Sequence, residues 1–341
     1  VPSTATCRPE PRPGSDALPA AWRQPPAAAR LPLYLGAALA ESLAGAAAGV
    51  AGDAVEHDRL AARFRWQRQR DCLARLRALG FEVVALKGFV TAHWLYDVPA
   101  LRCSGDLDVL VRAPDLEPLL RALAAEGYAF RPLPAKPWGF LSRASFQPFA
   151  SADGVVNLDL HLQPDCWPLE RGLPAETLFA AARPLAGGDG GAPVLAPDPT
   201  HLFLLLASNA AKDKFGPHAV KKLLDAYLWL AGRGPALEAA ELARLARRAG
   251  LSRPLGVFLA LLADLGLPPD RLPDLPQRRP GRAYAALLAE WRALFPHPPG
   301  ALGRLAREMR LSAEPAVAAT LTWRRLAGLL GRPAGLPEGW R

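Results

Sequence analysis

The sequence predicts an α+β fold in which strands and helices share the N-terminal part and helices alone build the C-terminal half. Short β-branched or apolar runs alternate with helix-length segments between residues 53 and 162. Beyond Pro164 the strand-like runs cease and helical periodicity takes over. Half of the 341 residues are apolar, enough to bury a large core at a length that predicts two domains.

Residues 1–30 contain seven prolines among small residues, a composition that predicts a flexible or draped arm. Leu31 to Ala54 is apolar but rich in Ala and Gly and contains Glu41, which predicts a packed helix rather than a membrane span. Leu60, Phe64, Leu73, Leu76 and Leu79 recur at helical spacing, so a helix runs from Asp53 until Gly80 ends it. Phe81 to Leu86 reads as a buried strand, and Phe89 to Tyr96 as a helix after Lys87-Gly88.

Asp106 to Val111 reads as a second strand, Pro114 to Glu126 as a helix stopped by Gly127, and Tyr128 to Arg131 as a third strand. Phe146 to Ala150 and Val155 to Leu162 are two strands joined at Asp153-Gly154. Helices are expected over Pro197–Lys212, His218–Ala231, Ala236–Ala249, Arg253–Leu265, Gly281–Leu294 and Ala316–Leu330. Gly187 to Gly191 and Pro268 to Pro280 read as linkers. The expected organisation is an arm over 1–30, N-terminal helices over 31–80, a core over 81–196 and a helical domain over 197–341.

The formal charge of +9 favours an anionic partner. Arginine is abundant throughout, as a GC-rich coding bias produces, so scattered Arg says little. Lysine is more telling: only six occur, and Lys212, Lys214, Lys221 and Lys222 lie within eleven residues. Two readings of that cluster stand side by side, an anion pocket built around the turn Phe215-Gly-Pro217, and a solvated face with Lys221 paired to Asp225 at i,i+4.

The four cysteines are widely spaced, which excludes a C-x-x-C zinc site and a dense disulfide scaffold and suits reduced cytosolic thiols. The polar, Pro-rich opening lacks a signal-peptide pattern, so a cytoplasmic protein without a membrane partner is expected. There is no G-x-x-x-x-G-K-[ST] loop, protein-kinase motif set, nucleophile elbow or His-ligand spacing.

Residues two apart on a strand project from the same face, so Asp106 and Asp108 place two carboxylates side by side. Such anions need compensation, and hard oxygen ligands suit Mg²⁺ or Mn²⁺ carried with substrate phosphates. A lone D-x-D also serves as an ordinary strand cap. Asp159, an acid within the apolar run Val155–Leu162, is the candidate third carboxylate, with His161 two residues on as a secondary candidate.

The ordered set Leu86-Lys-Gly88, Tyr96, Arg102 and Gly105-Asp-Leu-Asp-Val-Leu-Val111 resembles the signature of the uncharacterised nucleotidyltransferases in the DNA polymerase β-like superfamily. Leu158-Asp-Leu-His161 is similar to that family's Asp-Leu-His strand, and Ala210 to Phe215 with Lys221 to Asp225 looks like a looser continuation. The resemblance covers residues 80 to 230 and implies a small mixed sheet flanked by helices, with paired strand acids and a third acid holding metal at a triphosphate.

One departure stands out. The superfamily's first strand usually ends in Gly-Gly or Gly-Ser, where this chain has Lys87-Gly88-Phe89, so backbone NH groups near Gly88 or the Lys87 ammonium must replace a serine hydroxyl.

The resulting expectation is a nucleotidyltransferase that moves a nucleoside monophosphate from an NTP to an acceptor and releases pyrophosphate. Asp106, Asp108 and Asp159 would bind the metal. Lys87, Gly88, Arg102, Gly105, Lys212, Lys214, Lys221 and Lys222 would hold the nucleotide, with His161 and Asp225 secondary. The acceptor is a peptide, protein, RNA or small molecule, and no DNA partner is expected. A kinase using the same metal site and a noncatalytic nucleotide- or RNA-binding protein of the same fold are the alternatives.

Overall fold

The computed structural model describes residues 18–24, 27–102, 104–130, 148–165, 167–185, 194–294, 300–320 and 323. Most of the expected arm lies outside them. From Leu18 onward, however, the chain is packed: Ala20–Arg23 form one helical turn and Trp22 is fully buried, its Nε1 donating to the Trp291 carbonyl at 2.8 Å. The apolar area of one indole outweighs the proline-rich composition around it.

The single helix expected over Leu31 to Ala54 is broken. It becomes Leu31–Leu35, α1 (Ala37–Ala44) and a 3₁₀ turn over Gly45–Ala48. The breaks fall at Gly36 and Gly45, whose φ values of 88° and 55° suit glycine. Among the described residues no helix is long and apolar enough to cross a membrane.

Helix α2 (Gly52–Ala78) then runs to Gly80, as the spacing predicts. Strand β1 (Val83–Ala85) leads into α3 (Lys87–Leu95), and β2 (Leu107–Val111) into α4 (Leu116–Ala125). Two-residue strands β3 (Ala129–Phe130) and β4 (Phe149–Ala150) precede β5 (Asn157–His161). Gly154, at φ 69°, makes the turn between β4 and β5, which pair antiparallel. The expected strand residues Arg131, Phe146 and Gln147 lie outside the described residues.

Two further strands, β6 (Arg183–Pro184) and β7 (Leu195–Ala196), escaped the periodicity because two residues carry no alternation. The glycine run 187–191 between them is outside the described residues. The fold is α+β, with one mixed sheet of order β3-β4-β5-β2-β1-β7-β6. β2 pairs parallel with β5 and β1 parallel with β7, while β1 and β2 run antiparallel.

The helices that follow are α5 (Pro199–Lys212), α6 (Val220–Leu228), α7 (Ala239–Ala249), α8 (Ser252–Asp264), α9 (Gly281–Arg292) and α10 (Ala301–Arg307). Asp198 caps α5 by accepting from the Thr200 amide at 2.9 Å, and Pro199 occupies its first turn. Helix α10 was not foreseen, and the last expected helix is seen over 315–320, its remainder lying mostly outside the described residues. One hydrophobic cluster joins the sheet to these helices, containing Leu107 and Leu158 of the strands with Phe203 and Phe258 of α5 and α8.

A buried ion pair ties the two parts together. Asp225 of α6 has no exposed surface and accepts from Arg102 Nε at 2.8 Å, Arg102 Nη2 at 2.6 Å, Tyr96 Oη at 2.7 Å and Thr91 Oγ1 at 3.0 Å. An exposed-face pairing with Lys221 therefore does not describe Asp225. Burial drives the guanidinium toward losing its proton, but Asp225 more than reverses this and raises its pKa. Removing one partner of such a pair leaves the other charged and dry, so Asp225→Ala is expected to cost about 3–5 kcal/mol in urea unfolding. The double change Asp225→Leu with Arg102→Met is expected to recover much of that loss.

Candidate active site

Backbone pairing sets the site. The Leu86 amide donates to the Asp108 carbonyl at 2.9 Å, which delivers Lys87, the next residue, beside Asp108. Lys87 opens α3 with φ at 44°, a left-handed conformation that costs a non-glycine residue energy and collects at functional sites. On the other side, the parallel register pairs Asp108 with Asp159 and Leu110 with His161. Paired residues of a parallel ladder share a face, so Asp108, Asp159 and His161 converge. Asp106 immediately precedes β2.

Lys87 Nζ lies 2.5 Å from Asp108 Oδ1 and 3.2 Å from His161 Nε2. His161 Nε2 is in turn 2.9 Å from Asp108 Oδ1 and 3.3 Å from Asp159 Oδ2. One ligand atom each from Asp108, Asp159 and His161 falls within 4.8 Å of the other two, a group that could hold a metal ion. Asp159 Oδ1 and His161 Nδ1 are buried and have no hydrogen-bond partner. An orphaned carboxylate oxygen at this spot is what a cation would satisfy.

The charges respond to each other. Burial pushes the Asp108 carboxyl up, yet the Lys87 ammonium and His161 outweigh it and hold the acid well below its ordinary range. Burial, and then the Asp108 charge, raise Asp106, against the pull of the Ser104 hydroxyl that donates to its Oδ1 at 2.6 Å. Burial lowers Lys87, but Asp108, Asp165 and Asp159 lift it above the usual lysine value.

These groups form one wall of a cavity of about 460 Å³. Lys87, Gly88, Arg102, Asp106, Asp108 and Asp159 line it on the sheet side, and Asn209, Lys212, Lys221 and Lys222 on the helical side. Most sequence-predicted site residues are thus brought together. Lys214 and Gly105 are not among the lining residues; Lys214 Nζ pairs with buried Glu308 at 3.3 Å. Lys212 Nζ bonds Asp165 Oδ1 at 2.7 Å, and Lys222 pairs with Asp213. Lys212 and Lys222 therefore come with acids attached, and neither reading of the cluster describes it fully.

Ser104, Gln69 and Asn209 are among the residues of the site that were not anticipated. Ser104 stands against Gly88, where an added Cβ would meet the Ser104 Cβ at 3.0 Å. A hydroxyl, which the chain lacks after its first strand, stands in the turn before β2 and donates to Asp106. Gln69 of α2, 1 % exposed, donates from Nε2 to the Ser104 carbonyl at 3.1 Å and holds that turn. Asn209 enters from α5. Ser104 was findable two residues before Asp106, whereas Gln69 is one polar residue in a helix full of them.

With that geometry in place, the match to the family described as "Uncharacterised nucleotidyltransferase" over residues 37–266, more than half of the chain, is decisive. The chain belongs to this family. Its name implies a transferase acting on a nucleotide substrate, and the matched span contains every carboxylate and lysine named above except Glu308. Among curated proteins none matches the nucleotidyltransferase-family chain.

Protonation of His161 tests the electrostatics of this site. Burial and the Lys87 ammonium lower its imidazole, but bonds to Asp108 and Asp159 raise it above the ordinary value. In metal-free protein its NMR titration midpoint is expected above that of a free imidazole, and Asp108→Asn is expected to move the midpoint down.

Proposed function

We propose that this protein is a metal-dependent nucleotidyltransferase that moves a nucleoside monophosphate from an NTP to an acceptor hydroxyl or phosphate. The observation that carries the reading is the parallel register setting Asp108 beside Asp159, with Asp106 preceding the strand and lysines across the cavity. The catalytic core is assigned to residues 81–196, and the helical domain from 197 onward contributes the basic wall.

Asp106, Asp108 and Asp159 would hold Mg²⁺ or Mn²⁺, and the partnerless Asp159 Oδ1 fits that role. His161 beside them shifts the preference toward Mn²⁺, since Mg²⁺ favours an all-oxygen shell. A bound divalent cation would neutralise phosphate charge and lower the pKa of an attacking hydroxyl. Asp159 accepts the proton of that hydroxyl as its oxygen bonds to the α-phosphorus and the bond from the α-phosphorus to the bridging oxygen breaks. Lys212, Lys221 and Lys222 face the departing pyrophosphate, Lys212 with an exposed ammonium that can meet phosphate while still bonded to the buried Asp165. Lys87 already places a cation against Asp108, so it opposes metal binding until phosphates are present.

Incubation with Mn²⁺ and α- or γ-labelled NTP, with candidate acceptors, is the test. The α-label is expected in the acceptor with pyrophosphate released, and Asp108→Ala or Asp159→Ala is expected to slow this by roughly a hundredfold or more. Transfer of the γ-label instead would make the same site a kinase. Undiminished transfer in both variants would sink the assignment. Lys87→Met is expected to tighten Mn²⁺ binding in calorimetry without nucleotide, while weakening transfer.

A further inference from the structure

A second cavity, of about 210 Å³, opens beside the first and shares Lys212 with it. Trp167, Pro168, Leu251 and Val317 give it apolar walls. Ser208 and Ser312 add hydroxyls, and Ser312 Oγ is buried without any hydrogen-bond partner although the residue is only 7 % exposed. A buried hydroxyl left unpaired is destabilising unless a ligand or water completes it. Helix α5 serves both cavities, Ser208 facing one and Asn209 the other. Ser312, Ala313 and Val317 lie beyond the span matched by the family, so this pocket is completed by the chain's own C-terminal segment.

We propose that this side pocket receives the base of the nucleotide whose phosphates lie in the carboxylate cavity. The proposal rests on the nucleotidyltransferase reading above. A nucleobase has flat apolar faces and a polar edge, and the pocket offers an indole and aliphatic side chains beside hydroxyls that both donate and accept. Its size suits a single ring system: an apolar cavity of about 150 Å³ already holds benzene. A peptide segment would need a longer groove. Lys212, bonded to Asp165 at 2.7 Å on the shared rim, stands where a nucleotide spans from one cavity to the other.

The test compares binding of each of the four NTPs with that of inorganic tripolyphosphate, in the presence of Mn²⁺. At least one NTP is expected to bind roughly tenfold tighter than tripolyphosphate, the gain of a seated base. Ser312→Ala, which removes the pocket's unpartnered hydroxyl, and Ala313→Leu, which fills its wall, are expected to erase most of that gain and leave tripolyphosphate affinity unchanged. Thermal melting of both variants checks that they are folded, and Ser312→Ala alters no hydrogen bond of the folded chain. Equal affinity for NTP and tripolyphosphate in the unaltered protein overturns the proposal. So does unchanged NTP affinity in both variants, or an effect confined to the KM of the acceptor, which would give the pocket to the acceptor instead. Asp108→Ala separates the two levels. If it weakens both ligands while the pocket variants weaken neither, only the base subsite falls; if it weakens neither ligand, the nucleotide reading falls and the subsite with it.

Discussion

Parallel pairing of β2 with β5 sets two carboxylates side by side, with an oxygen of each within 4.8 Å of the other. Asp108 and Asp159 occupy one register position on adjacent strands, in a sheet whose neighbouring residues are fully buried. Negative charge at that density is unstable unless cations stand within a few ångströms. The chain meets this demand with Lys87, delivered by the next strand in the sheet, and with His161, two residues along β5. The strained backbone at Lys87 is a consequence: the chain must turn from strand to helix at the very residue whose ammonium has to reach Asp108.

Supports outside the cluster keep these elements in place. Gln69 holds the turn that carries Ser104 and Asp106, and Arg102, just before that turn, is locked to Asp225. Since Arg102 also lines the cavity, the pair that joins the helices to the sheet is the same pair that sets the cavity's floor. Positioning of the acids and attachment of the helical part are thereby one problem with one solution, a buried, fully bonded guanidinium–carboxylate contact.

The basic wall works on different terms. Lys212 has an exposed ammonium but bonds the buried Asp165, and Lys222 and Asp213 are both half-buried, so each ammonium at the cavity edge is held by an acid shielded from water. Those acids fix where the ammonium groups stand. Under the proposed function, a polyanion entering the cavity would add a second anionic partner to ammonium groups that are already oriented.

Residue spacing alone determined the α+β class, the strand that carries Asp108, the strand that carries Asp159 and most helices, because periodicity records which faces meet the core. It also singled out the lysines, because they are scarce in an arginine-rich chain. Contacts between residues distant in the chain leave no such trace. That Asp108 pairs with Asp159, that His161 joins them, that Asp225 belongs to Arg102 rather than to Lys221, and that Lys214 turns away to Glu308 were decided by strand register and helix packing. Ser104 and Gln69 acquire their roles the same way, since a hydroxyl or an amide is unremarkable until tertiary structure sets a carboxylate loop beside it.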